Sequence, residues 1–245
     1  MDFIDLCPAR VYDQSYKQDY ELVGAMGQFN LFGGKIAFGR SKTALKVETK
    51  VTERLTGIAA DEEAKIRMQH LVDYLKHPSD LEAGKTEILR GVIVTGPPGT
   101  DKFLIAKAIA GEAGVMLFSI SGPEFAEDIY DVAASVLHGF FVEARKHPPC
   151  VMFIDNIGAF AGPNASKDPA QQKLMKQLCS EMDSNLNKGI VLMASADSLD
   201  QIDPILLSPG RFHCNFCIET VADKSGNEVC VYVQDVLGGR GRQEG

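Results

Sequence analysis

The octapeptide Gly96-Pro97-Pro98-Gly99-Thr100-Asp101-Lys102-Phe103 joins a short apolar run, Gly91-Val92-Ile93-Val94-Thr95, to the alanine-rich run from Leu104 to Ala113. Glycines and a lysine between a strand and a helix suit phosphate chemistry. Backbone N–H groups wrap the phosphate oxygens, the helix N-terminus adds its positive end, and the lysine supplies a point charge. A working loop of this kind reads G-x-x-x-x-G-K-[ST]. Here Asp101 stands where the second glycine belongs, and Phe103 stands where the magnesium-binding hydroxyl belongs. Lys102 is kept. The expected ligand is ATP or ADP at weakened affinity, with Mg²⁺ poorly served.

Each replacement has a physical consequence. One like-charge pair between Asp101 and a phosphate at ~4 Å costs about 4 kcal/mol at an effective dielectric near 20. Glycine also permits a backbone geometry that aspartate adopts less readily. Phe103 has no oxygen to offer Mg²⁺. Its ring reads equally well as a core-facing residue of the first helical turn, and on either account the ligand is lost.

The elements that must hold this loop follow from periodicity. Ala64, Met68, Leu71, Val72 and Leu75 recur at helical spacing, and Pro78 ends that helix. After the loop, strands are expected at 115–120, 150–154, 189–194 and 214–218, with helices at 132–146 and 169–182. Alternating strands and helices predict an α/β fold of three layers, a parallel five-stranded sheet with helices on both faces. Ligands in such sheets sit beyond the carboxyl ends of the strands. That edge gathers Thr95 and Gly96, Asp155, and Ala196 with Asp197. Residues 1–50 are weakly patterned and read as a glycine-punctuated linker, 51–220 as the core, and 221–245 as a tail.

Composition narrows the function classes. The 245 residues are 45% hydrophobic and 24% charged, enough for one well-buried core. The net charge of −8 and the lack of clustered Lys and Arg, apart from the short end Gly238-Gly239-Arg240-Gly241-Arg242, argue against nucleic-acid binding. Six scattered cysteines form no disulfide framework and fit a reducing compartment. Cys214-x-x-Cys217 beside His213 offers half a zinc site with no second Cys pair. Phe212, Cys214, Phe216 and Ile218 alternate instead, as in a half-buried strand, so zinc is not expected. There is no HExxH, no apolar run of the ~18–20 residues that cross a bilayer, and no charged leader, so the chain reads as soluble as given.

Longer stretches carry a family resemblance over roughly residues 38–235. They include Phe38-Gly39-Arg40-Ser41-Lys42, Asp61-Glu62-Glu63-Ala64-Lys65, Ala106 to Val115, and Phe118-Ser119-Ile120-Ser121-Gly122. Phe153-Ile154-Asp155, Glu181-Met182-Asp183 and Ser208-Pro209-Gly210-Arg211-Phe212 follow in order. Together they resemble the AAA+ module of FtsH-type ATP-dependent zinc metalloproteases. The resemblance implies a P-loop NTPase (AAA+) fold, and it adds Ile58 and Ala59 to the nucleotide-binding positions of the loop. It also implies a membrane anchor, a helical lid and a zinc peptidase. The 25 residues after Thr220 are too few for the last two, so lid and peptidase are expected to be absent.

Position by position, the resemblance implies a weakened engine. Asp155 matches a metal-organising carboxylate, an indirect Mg²⁺ contact. Asn156 replaces the glutamate that activates water, and loss of a positioned base typically forfeits about 10²–10⁴ in rate. Asp197 replaces a polar sensor, usually Asn. Ser208 replaces the first of two arginines that reach a neighbouring subunit. Arg211 keeps the second, either to serve a partner or to pair within its own fold; a trans arginine is worth about 10³–10⁵ in phosphoryl transfer. The helix start at Ala133-Ala134-Ser135-Val136 lacks a further arginine. In the pore loop the aromatic-Val-Gly pattern becomes Ile129-Tyr130-Asp131, with Tyr130 displaced by one position.

The sequence therefore predicts a catalytically weak or inactive subunit that acts by assembly with AAA+ partners, in a ring of the same or related subunits. No peptidase activity is expected. The alternatives are an ATP-binding, slowly hydrolysing AAA+ ATPase in ATP-dependent protein unfolding or proteolysis, and a decayed derivative with no stable role. By resemblance, the setting is the periphery of a bacterial inner membrane, a plastid or a mitochondrial membrane, reached only through partners or through segments outside this sequence.

Overall fold

The computed structural model describes residues 35–37, 44–78, 91–127, 130–169, 171–184, 189–208, 210–223 and 226–235. Two strands come first, β1 (Lys35–Ala37) and β2 (Ala44–Glu48). Helix α1 (Glu62–Lys76) starts at Asp61, whose carboxylate accepts the Ala64 N–H at 2.8 Å. Such a cap is worth about 1 kcal/mol. Glu62 and Glu63 in the first turn and Lys76 in the last complement the helix dipole.

Strand β3 (Gly91–Thr95) is buried throughout and leads through the loop into α2 (Phe103–Ala113). That helix ends at Gly114, whose φ of 71° supplies the left-handed C-cap. Strand β4 (Met116–Ser121) and the short α3 (Gly122–Glu127) follow, then α4 (Tyr130–Arg145) and β5 (Cys150–Asp155). Helix α5 (Gln172–Asp183), β6 (Ile190–Ala196), β7 (Cys214–Asp223) and β8 (Gly226–Asp235) complete the order.

All eight strands form one sheet in the order β1-β2-β4-β5-β6-β3-β7-β8. The five central strands, β4 to β7 in that order, run parallel, as the helical crossovers require. The expectation of a purely parallel sheet is corrected at both edges. Strand β2 pairs antiparallel with β1 and β4, and β8 pairs antiparallel with β7. Two residues separate β7 from β8, far too few for a crossover, so the second strand must return as a hairpin. The N-terminal stretch expected as a linker thus contains β1 and β2, and the expected tail contains β8. Val231-Tyr232-Val233 lies within β8.

Alternation assigns each central strand to two apolar layers. Val92, Val94, Leu117, Val151, Phe153, Val191 and Met193 face α1 and α2. Ile93, Phe118, Met152, Ile154, Leu192 and Ala194 face α4 and α5. Both sides of the sheet are buried, which is why these strands read as continuous hydrophobic runs. Among the described residues no helix is long and apolar enough to cross a membrane.

Candidate phosphate-binding site

Strand β6 lies between β5 and β3, so the carboxyl ends of these three strands meet. Thr95 pairs with Ala196, and Ile154 pairs with Ala194. The sheet register therefore sets Gly96 beside Asp197 and Asp155 beside Ser195. The edge expected from the sequence forms, and it brings the loop, Asp155 and Asp197 together.

The loop has the tight backbone that its glycines suggest. Gly99 has φ = 89°, a region costly to other residues. A Cβ on Gly96 would sit 2.8 Å from the Ile218 Cβ, so only glycine lets the loop leave β3 this close to β7. Thr100 Oγ1 donates to the Pro97 carbonyl at 2.7 Å and folds the loop on itself. Asp101 carries no left-handed strain, because Asn156 is the sole non-glycine with positive φ among the described residues. Its Oδ1 accepts the Leu104 N–H at 3.1 Å and so caps α2.

Lys102 is 9% exposed. Its Nζ donates to Asp197 Oδ1 at 2.9 Å and to the Pro97 carbonyl at 3.2 Å. Phe103 packs half-buried against the core: its ring centroid lies 4.9 Å from that of Phe153, and Lys107 Nζ stands 5.1 Å from its centroid.

Asp155 ends β5 at the surface, where Ser195 Oγ donates to its Oδ1 at 2.6 Å. The same hydroxyl accepts the Asn156 N–H at 2.7 Å. Asn156 itself adopts φ = 49° and ψ = 62°. Asparagine tolerates this region better than most residues. Ser195 was not singled out by the sequence; a lone hydroxyl at the carboxyl end of an apolar strand was the available signal. Asn215 was missed as well. It is fully buried and accepts from Thr95 Oγ1 at 3.0 Å, tying β7 to the start of the loop.

Ile58 and Ala59 precede α1. The Ala59 carbonyl accepts the Val231 N–H at 2.9 Å, and Asp61 N donates to the Val231 carbonyl at 2.9 Å. This segment is therefore sewn to β8. Arg211 pairs within its own chain. Its Nε and Nη2 reach the two Asp183 oxygens at 2.9 and 2.7 Å, and Nη1 donates to the Ile205 carbonyl at 2.7 Å. The Asp183 hydrogen bonds hold the guanidinium pKa above its ordinary value, and the same bonds hold the Asp183 carboxyl below its own. Ser208 accepts the Arg211 N–H at 3.1 Å through its carbonyl. Tyr130 is the first residue of α4. Ile129, Pro209, residues 38–43 and the basic end at 238–242 lie outside the described residues.

A second polar cluster joins α4 to α5. Glu181 is 4% exposed and contacts His138 Nδ1, Arg145 Nη2 and Gln177 Nε2, each at 2.6 Å. Cys214 and Phe216 are buried in β7, and no cluster of three metal-ligating side chains occurs among the described residues.

Gly96 and Gly99 give the loop its tight path, and the Thr100 and Lys102 N–H groups donate to loop carbonyls at 3.2 and 3.0 Å. The magnesium ligand set does not fit, since a ring packed on Phe153 replaces the hydroxyl. The strand order, loop and carboxylate edge define a P-loop NTPase. Residues 92–220, more than half of the chain, match the ATPase family associated with various cellular activities (AAA), and the chain belongs to that family. It is similar to the ATP-dependent zinc metalloprotease FtsH of Caulobacter vibrioides, 40% identical over 206 residues, covering 82% of this chain and 33% of the relative. The FtsH of Buchnera aphidicola subsp. Baizongia pistaciae is 40% identical over 216 residues, covering 85% and 35%. That of Veillonella parvula is 42% identical over 181 residues, covering 71% and 28%. The chain spans about a third of the length of these curated relatives. It is an FtsH-like AAA module.

Proposed function

We propose that this module is a catalytically weak or inactive subunit that acts by assembling with AAA+ partners of the same or related type. The observation that carries the reading is the Phe103 ring on Phe153. A phenyl ring offers Mg²⁺ no oxygen in any rotamer, and this one packs half-buried against the core, so the loop supplies no side-chain ligand at that position. Asn156 compounds the loss, because an amide does not take a proton from water as a carboxylate base does. The sheet and both apolar layers remain continuous beside these changes. A folded AAA body with a weakened engine suits a role exercised through its surfaces.

Arg211 fits the same reading. Its fork is engaged by Asp183 and the Ile205 carbonyl, which supports a role within its own fold. Through the family likeness, the expected partners are intact FtsH-type subunits at a bacterial inner membrane, plastid or mitochondrial membrane, and the work is protein quality control.

The slow-hydrolysis alternative rests on Lys102 and on Asp155, which Ser195 holds at 2.6 Å. Two measurements separate the readings. The purified chain should show no ATP turnover above background with Mg²⁺, and it should co-elute with an intact FtsH-type AAA+ subunit. Slow, Mg²⁺-dependent turnover by the isolated chain favours the alternative.

A further inference from the structure

We propose that Asp197 is an internal competitor for polyphosphate: it latches Lys102 and closes the loop to nucleotide until it is displaced. The inference rests on the loop being a nucleotide site and concerns how that site is regulated. An ammonium has three donors, and Lys102 uses two of them on Asp197 and Pro97. The lysine is 9% exposed and sits in the wall of the loop, so its charge has little freedom to turn elsewhere.

The pairing follows from the sheet rather than from a mobile side chain. Because Thr95 lies opposite Ala196, the residue that follows β6 comes level with the loop. A carboxylate at Asp197 is thereby delivered to the ammonium at 2.9 Å. Asp101 places a second internal anion on the first-turn amide of Leu104. The two groups that would receive a phosphate, the ammonium and the helix N-terminus, thus both hold carboxylates of this chain. The Asp197 side chain is 42% exposed, so a ligand can displace it without opening the core. The ligand class is a di- or triphosphate, which carries the charge to compete for Lys102.

The test is isothermal titration of the whole chain with pyrophosphate and with ADP, without added magnesium, on wild type, Asp197→Asn and Asp197→Ser. Circular dichroism melts accompany each protein. Asn keeps the size of the side chain and removes its charge. The expected result is a gain of about tenfold or more in affinity for both ligands in either variant, equal to ~1.4 kcal/mol. Unchanged affinity in variants that melt cooperatively overturns the latch. Micromolar pyrophosphate binding by wild type overturns it as well, and needs no variant. A gain that survives Lys102→Met in the Asp197→Asn background shows that the loop is not the phosphate site, which removes the latch with its premise. ATP turnover by Asp197→Asn at ordinary enzymatic rates, about 1–100 s⁻¹, contradicts the proposed function and leaves the latch standing.

Discussion

The ring of Phe103 meets that of Phe153 with centroids 4.9 Å apart and planes inclined at 47°. Phe153 precedes Asp155 by two residues on β5, so both side chains leave the same face of the strand. The first turn of α2 is thereby anchored by an apolar contact to the strand that ends in Asp155. Restoring the loop with Asp101→Gly and Phe103→Thr should raise ADP affinity and make it magnesium-dependent. The lost ring contact should cost about 1–3 kcal/mol of stability, less than for a fully buried Phe because Phe103 is half-buried. Titration with and without Mg²⁺ and urea unfolding read the two effects. Unchanged binding in the folded double variant would locate the limiting defect outside the loop.

Asn156 is set by backbone geometry as much as by chemistry. Its left-handed φ of 49° favours Asn or Gly over Glu. Asn156→Glu should therefore destabilise the chain by about 1 kcal/mol and yield no turnover while Phe103 remains. Asn156→Gly should stay within about 0.5 kcal/mol of wild type. Urea unfolding of the pair checks the order; a more stable Asn156→Glu would refute the backbone argument.

Arg211 joins the segment after β6 to the end of α5 through Asp183, and bonds the Ile205 carbonyl within that segment. Asp183 is 54% exposed, so the pair is screened and its contribution modest. Arg211→Ala should lower the stability of the isolated chain by about 1 kcal/mol. Arg211→Lys should recover only part of it, since an ammonium lacks the fork. A purely inter-subunit arginine would leave the isolated chain's melting unchanged.

Glu181 gives the clearest pH dependence. Burial pushes its carboxyl up, but the His138 hydrogen bond and then the Arg145 charge outweigh burial and hold it below 4.5. The folded state therefore binds fewer protons than the unfolded chain in that range. This contribution is complete above about pH 4.5 and is lost as pH falls through the folded value. Glu181→Gln does not titrate. It should cost about 2–3 kcal/mol near pH 7, where a hydrogen-bonded charge is removed. The gap to wild type should narrow as the pH drops below about 4.5. A gap that stays constant down to pH 3 would rule out the coupling.

The central fold was legible because its strands are buried on both faces. Runs such as Val92-Ile93-Val94 and Val151-Met152-Phe153-Ile154 leave little choice once helices separate them. The edges were not legible. Strand β1 has three residues, and β8 gains its partners from β7 and from Ala59 to Asp61, a pairing with no local signal. At the site, the loop and both carboxylates could be placed on one edge from the topology alone. What they bond to could not, because the Lys102–Asp197 contact depends on the register between β3 and β6. The Arg211–Asp183 fork depends likewise on how α5 meets the segment after Leu207.

The measurement closest to the central claim is steady-state ATP turnover of the purified chain with Mg²⁺, alone and mixed with an intact FtsH-type AAA+ subunit. The chain alone should release no phosphate above the buffer blank. In the mixture it should co-elute with the partner and leave all turnover dependent on the partner's own site. Turnover by the isolated chain of about 1 s⁻¹ or more, within the ordinary range for enzymes, would contradict the account.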